Sequence, residues 1–419
     1  MKILRQVWQL VKRQKLYTAI YIFGTALALA TVTVYAVQLR TRIAPVYPEY
    51  QRPRMAVVNH LQVSEKNGHM MRQSAVGYES MREYLLKVRS ADHATGIRRH
   101  WVDSYVQSVN GGLDRLVKFI ATDTAYFDIF TLDFIAGGPF THEQFEGGSH
   151  AALIDTDVAR AVFGAGELSE LLGREFTVDH VAYRLTGIYR PMSEGVPVSH
   201  ANVIVPYTAV DNNGHWGNSP FLGNYWVVYT TDSPEALREE FNEIERRYNS
   251  SQDEYELDFF GAPFAHTEFS LGNGGEDFTL SDVLAVILGT FFVLLLVPAL
   301  NLSGMVAGRM ERRLPEIGVR KSYGATDGVL LLELLNENLI LTLAGAIVGF
   351  VWAWIMLSTG MAGITTTDGP DVAATGEMIF APAVFVFCFV VSLLLNIASA
   401  LIPAARALRR PIVTALNSK

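Results

Sequence analysis

The feature that most constrains this chain is where its apolar residues lie. They gather into four runs, at about 16–39, 283–306, 329–357 and 381–403. Each is long enough to cross a bilayer, which needs about 20 apolar residues in a helix. Between the first and second runs lies a polar stretch of about 240 residues, enough for one large or two small globular domains. Half of the 419 residues are apolar, and that share clustered into long uncharged runs is not the pattern of a soluble protein.

Lys and Arg in short loops set the orientation of membrane helices. Lys2, Arg5, Lys12, Arg13 and Lys15 precede the first run. Arg309, Arg312, Arg313, Arg320 and Lys321 follow the second, and Arg406, Arg409, Arg410 and Lys419 follow the fourth. Four crossings put all three clusters on one side, the cytoplasm, and leave the large domain and the loop at 358–380 outside. These segments hold 14 of the 34 basic residues but only Glu311, Glu316 and Asp327 of the 42 acids, so the remainder carries a net charge of −19. An acidic exterior excludes a nucleic-acid partner, which requires a basic face. The lone cysteine, Cys388, lies in the fourth run and permits no internal disulfide. The first run contains Ala28-Leu29-Ala30 but continues past it, so it reads as an uncleaved anchor. Leu4, Val7, Trp8 and Val11 keep helical spacing among basic residues, which predicts an amphipathic helix on the inner lipid surface.

The outer stretch mixes α and β signals. Residues 54–63 read as a strand and 78–88 as a helix. "NGG" at 110–112 predicts a hairpin between strands on either side. "NYWVVYTT" (224–231) reads as a strand, Asp232-Ser233-Pro234-Glu235 as a helix start, and 254–260 as a further strand. Two split βα halves flank a strand-rich middle, and "LGNGGED" (271–277) reads as a linker.

No phosphate-binding loop, nucleophile elbow or zinc-protease motif occurs, so ATP hydrolysis is not expected of this chain. All ten histidines fall between His60 and His266, none at metal-ligand spacing from another, and no metal site is expected. The polar residues inside the apolar runs are more telling. Asn301 and Asn396 suit interhelical hydrogen bonds. Glu333 lies near the inner interface, where a carboxylate can snorkel. Glu337 lies about 15 Å further along the helix from Gly328 at 1.5 Å per residue, and an ionisable group at such a depth normally faces a partner or water. Gly345 and Gly349 form a small-xxx-small face, for packing either within the bundle or against a second membrane chain.

Between the second and third runs lies "ERRLPEIGVRKSYGAT" (311–326). Pro315 can open a helix at its first turn, and Gly324 suits a C-terminal stop. Glu311, Arg312, Glu316, Ile317, Gly318, Val319, Arg320, Lys321, Tyr323 and Ala325 complete the segment, whose short, stiff, mixed-charge helix after Pro315 can dock in a groove on a cytosolic protein, with residues 316–325 expected to make the contact.

This segment, with "LLELLNENLILTLAGAIVG" (331–349) and "IPAARALRRPIVTAL" (402–416), resembles the signature of MacB/FtsX-type ABC transporter permeases. "ATDTAYFDIFTLDFIAGGPFT" (121–141), "AALIDTDVARAVFG" (151–164), "LLGREFTVDHVAYRLTGIYR" (171–190) and "VIVPY" (203–207) are similar to the family's periplasmic core domain. The resemblance implies a multi-pass α-helical membrane protein with four transmembrane helices and a large α+β periplasmic domain, made of a ferredoxin-like porter lobe and an inserted β-rich lobe. The expected layout is a surface helix at 1–15, crossings at 16–39, 281–306, 328–357 and 381–403, and the outer domain at 40–280 with its inserted lobe at about 115–205. The coupling segment is expected at 307–327, the outer loop at 358–380 and the cytoplasmic tail at 404–419.

The resemblance also implies a cytosolic ABC ATPase dimer as partner, with ATP and Mg bound there and no cofactor on this chain. It implies a second permease, identical or paralogous, and admits a periplasmic adaptor or outer-membrane channel besides membrane lipid. ATP-driven motion would pass to the outer domains without a substrate path through the membrane, to export a drug, peptide or lipoprotein-type cargo from the cell inner membrane. The alternative is an FtsX-like permease that switches an extracytoplasmic cell-wall hydrolase.

Overall fold

The computed structural model describes residues 15–66, 68, 71–99, 103–108, 115–193, 195–196, 198–211, 221–251, 253–272, 280–359 and 382–408. Residues 1–14 of the expected surface helix, the "NGG" turn, the outer loop from 360 and the tail from 409 lie outside the described residues. The chain divides into two units, one of residues 1–40 and 284–419 and the other of residues 41–283.

In chain order, helix α1 (Lys15–Ile43) comes first. It continues past the expected end at 39. The outer unit carries short helices α2 (Tyr78–Glu83), α3 (Tyr126–Ile129), α4 (His142–Glu146), α5 (Thr156–Phe163), α6 (Pro234–Ser251) and α7 (His266–Gly272). The chain then returns to α8 (Leu280–Ser322), α9 (Asp327–Ser358) and α10 (Pro382–Leu408).

Among the described residues, sixteen strands of the outer unit join in one hydrogen-bonded network. The early and late halves interleave. Strand Tyr225–Thr230 runs antiparallel to Met55–Val58 on one side and to His93–Arg99 on the other. Strand Tyr255–Asp258 pairs with Leu61–Glu65. The strand-rich middle joins through Arg98 opposite Ala121. There Val203–Pro206 runs parallel to Phe119–Thr122 and antiparallel to Ala151–Asp155. The run at 54–63 is two strands, Met55–Val58 and Leu61–Glu65, not one. They pair with different partners, so the chain must break at Asn59-His60 to serve both. The strands expected around "NGG" pair as Ser104–Ser108 with Arg115–Val117.

Local chemistry fixes the helix starts. Thr141 forms a capping box with Gln144 on α4, and Asp155 Oδ1 accepts from Val158 N at 2.7 Å on α5, each satisfying a donor that the first helical turn leaves free. Helix α6 begins at Pro234 and buries Leu237 and Phe241. Phe241 meets Tyr229 and Phe259 edge-on at 5.7 and 5.0 Å.

In the other unit, three helices among the described residues are long and apolar enough to cross a membrane: Thr18–Ile43, Asp327–Ser358 and Pro382–Ser399. Helix α8 adds a shorter apolar stretch, Leu284–Leu296. Leu29, Val32, Ala36, Ala346 and Cys388 form a buried core, with Phe291 and Leu295 of α8 packed on it. Tyr35 meets Phe291 edge-on at 5.0 Å.

Candidate functional site

The residues singled out from sequence fall on a helical hairpin made by the end of α8 and the start of α9. The short helix expected to open at Pro315 is not separate. Helix α8 runs unbroken for 43 residues through Pro315 and through the expected boundary at 306/307. Proline removes one helical hydrogen bond and normally bends or stops a helix. Here packing overrides that local rule: Pro315 is exposed, while Met310, Leu314 and Ile317 around it are at most 7% exposed.

Gly324 does end the helix. Its φ of +90° lies in the left-handed region, where a Cβ is disfavoured. Gly324 N donates to Lys321 O at 3.0 Å and Ala325 N to Arg320 O at 3.1 Å. These two bonds make a Schellman motif, which satisfies carbonyls that a helix end leaves free. Asp327 opens α9 two residues later. Lys321 Nζ lies 2.5 Å from its Oδ1, so each charge also sits at the helix end whose dipole favours it.

Five charges knit the hairpin together. Arg313 forks onto Glu337, with Nη1 2.9 Å from Oε2 and Nη2 3.4 Å from Oε1. Arg313 Nε lies 3.5 Å from Glu316 Oε2. Glu316 Oε1 accepts Arg320 Nη2 at 2.8 Å, and Arg320 Nη1 reaches Glu333 Oε2 at 2.7 Å. The run Glu337–Arg313–Glu316–Arg320–Glu333 alternates in sign throughout. A shallow open crevice lies along it, lined also by Ile317 and Leu330.

Arg320 and Lys321 are each engaged within the hairpin. Glu333 does not simply reach for the interface, because it closes the ladder. Tyr323 and Val319, four residues apart at the end of α8, remain 89% and 46% exposed. Glu311 is exposed, and Gly318 is buried.

Deeper in the same unit, Gly345 and Gly349 lie against α1. A Cβ at Gly345 would fall 2.8 Å from Thr25 Cβ, and one at Gly349 2.7 Å from Ala26 O. Both distances are closer than real side chains allow, so the glycines permit the approach of the two backbones. Beside them Tyr21 and Thr342 share a buried hydrogen bond of 3.1 Å. Asn301, Arg312 and Asn396 lie on helices, with side chains outside the described ones.

Sequence reasoning did not assign site roles to Arg313 and Glu333. One signal would have found them. In a helical hairpin turning at Gly324-Ala325, residues equidistant from the turn meet, which pairs Arg313 with Glu337 and brings Arg320 near Glu333. Among the described residues no three His, Cys, Asp or Glu side chains are placed to hold a metal ion.

The family profile of the MacB-like periplasmic core domain matches residues 18–244, and that of the FtsX-like permease C-terminal region matches residues 287–412. The ABC transporter permease YknZ of Bacillus subtilis, itself uncharacterized, is 23% identical over 224 residues, 54% of this chain and 53% of its own. The macrolide export ATP-binding/permease protein MacB of Burkholderia cenocepacia is 25% identical over 296 residues, 70% of this chain and 40% of its own. The chain thus spans about half or less of the length of these relatives. The solved periplasmic region of MacB from Actinobacillus actinomycetemcomitans aligns at 14% identity over 48% of this chain and 87% of that one, with a TM-score of 0.33.

Proposed function

The chain belongs to the MacB/FtsX-type permeases of ABC transporters, membrane proteins with a periplasmic domain, and on that premise we propose that it is a non-catalytic transmission subunit. A separate cytosolic ABC ATPase dimer binds ATP and Mg and drives the hairpin of α8 and α9. Helices α1, α8, α9 and α10 make four crossings, with both termini cytoplasmic. A second permease, identical or paralogous, completes the assembly, and an adaptor or outer-membrane channel would join it where the cargo must leave the cell. The outer unit moves as a ferredoxin-like lobe with an inserted β-rich lobe.

One observation carries this reading: the hairpin is braced by internal ion pairs and leaves an apolar tip exposed. A brace of alternating charges keeps two helices in register. A push at the tip therefore displaces both helices instead of splaying them. An exposed aromatic at such a tip is the kind of anchor that dominates a protein interface. The docking surface is accordingly Tyr323 and Val319, with Arg320 and Lys321 serving the brace.

Export of a drug, peptide or lipoprotein-type cargo is favoured over switching of a cell-wall hydrolase. The support is the match to the MacB-like core domain over 227 residues, 18–244, and relatives named for macrolide and pyoverdine export. The test is reconstitution of the full chain with ABC ATPases encoded beside it. Retention of one of them and stimulation of its ATP hydrolysis by the permease is the expected result. If no such ATPase binds or is stimulated, the transmission reading fails.

A further inference from the structure

The outer unit holds a buried charged cluster that the hairpin mechanism does not use. The segment joining α1 to strand Met55–Val58 carries Glu49 and Arg52, whose side chains are 0% and 1% exposed. Arg52 turns back on the end of α1. Its Nη1 donates to Thr41 O at 2.5 Å and Ala44 O at 2.8 Å, and its Nε donates to Glu49 Oε2 at 2.7 Å. Carbonyls at a helix C-terminus lack internal donors, and a guanidinium suits them.

Glu49 then reaches two further places. Its Oε1 accepts from Ser199 N at 2.9 Å and Ser199 Oγ at 2.7 Å. His266, the first residue of α7, sets Nε2 3.2 Å from Oε2 and is 1% exposed. Tyr126 of α3 fixes the Ser199 segment from the other side, donating to Ser199 O at 2.9 Å. One carboxylate therefore touches the start of α7 and the strand-rich middle of the domain, and reaches the end of α1 through Arg52.

Burial alone would push the Glu49 carboxyl up. Arg52, His266 and Ser199 outweigh it and hold the carboxyl far below the usual range. The group is an anion at any physiological pH. An apolar cluster of this size would let three chain segments slide over one another. A buried anion cannot leave Arg52 without stranding a charge, nor leave Ser199 without losing two charge-assisted hydrogen bonds, which fix direction as well as distance.

We infer that Glu49 is a positioning residue that locks the end of α1, the start of α7 and the Ser199 segment into one moving part, so that a displacement arriving through α1 or α7 reaches the strand-rich middle of the outer unit. Its purpose rests on the transmission reading. Its test does not, because it is made on the full chain in detergent with no ATPase present.

Hydrogen exchange read by mass spectrometry on the wild type, Glu49→Gln and Ser199→Ala decides it. Glu49→Gln should speed exchange at 41–44, 199–201 and 266–272 together, by about a hundredfold. Strands Ser104–Ser108 and Glu175–Val178 should keep their protection. Ser199→Ala keeps the backbone donor and strands no charge, so it folds even where Glu49→Gln does not. It should speed the same three segments by about tenfold. The inference is overturned if Ser199→Ala affects only the residues beside it. It is equally overturned if either variant speeds all strands alike, since Glu49 would then be an ordinary stability residue.

Discussion

Arg313 and Glu337, 24 residues apart in the chain, meet as a two-pronged ion pair at 2.9 and 3.4 Å. Glu337 is 3% exposed, while the Arg313 side chain keeps 21% of its surface. Removing one partner leaves the other charge without compensation, and the partial exposure of Arg313 softens the loss. Arg313→Gln and Glu337→Gln should each destabilise the chain by about 2 kcal/mol. The double variant should lose clearly less than the sum, because the second substitution relieves the stranded charge. Thermal unfolding of the four proteins in one detergent measures this cycle. Strict additivity would mean that the two groups do not interact.

Tyr323 makes the docking surface testable apart from the brace. It is 89% exposed, so Tyr323→Ala should leave the melting temperature unchanged. Truncating an aromatic anchor typically costs more than 1 kcal/mol of binding, so affinity for the partner ATPase should fall about tenfold. The pair Arg320→Glu and Lys321→Glu should behave in the opposite way, lowering the melting temperature first because Glu316 and Glu333 lose Arg320, Asp327 loses Lys321, and new carboxylates face them. Wild-type ATPase affinity in Tyr323→Ala would remove the tip from the interface.

The elements that could be read from sequence were those fixed by local chemistry. Asp232-Ser233-Pro234 marks the start of α6 because a cap and a first-turn proline act within one turn. Gly324 marks the end of α8 because the left-handed backbone there belongs to that residue alone. Continuity of α8 through Pro315 could not be read, because it depends on the burial of Leu314 and Ile317 in the folded chain. The break at Asn59-His60 likewise reflects two strands with different partners, which no periodicity within 54–63 reports. The ion pairs of Arg320 and Lys321 were hidden for a related reason. Charge type and position are visible in the sequence, but only the facing helix shows which carboxylates they meet. Glu49 and His266 lie 217 residues apart, beyond any spacing rule.

Gly345 and Gly349 differ from Gly24, Gly289 and Gly304 in what surrounds them. Gly349→Ala would place a methyl 2.7 Å from Ala26 O, a backbone atom that cannot step aside. Overpacking of this kind costs about 1–3 kcal/mol. Gly289, in α8, has nothing within 4 Å of its missing Cβ, and Gly289→Ala should be neutral or slightly stabilising from helix propensity. Thermal unfolding in detergent should rank the variants in that order. An unchanged melting temperature for Gly349→Ala would mean that α1 and α9 do not pack through this face.

His200 gives the outer unit a defined acid response. It is 7% exposed, and burial together with the charges of Arg99 and Lys118 pushes its imidazole down to about 4, against the opposing pull of Asp103. The unfolded chain takes up this proton near pH 6.5, while the folded chain resists until about 4. Stability should therefore fall as pH drops through that window, by about 3 kcal/mol at most. Asp123 works the other way. Burial raises its carboxyl to about 6 despite hydrogen bonds from Thr95 and Gly96. The folded chain thus gains that proton before the unfolded one, which adds stability as pH falls below 6. The two effects partly cancel in the wild type, so the difference between proteins is the useful quantity. His200→Gln carries no titrating group at this position. Between pH 7 and pH 4.5 its stability relative to wild type should rise by about 2–3 kcal/mol, measured by urea unfolding followed through tryptophan fluorescence. A difference that stays constant with pH would show that His200 does not resist protonation in the folded chain.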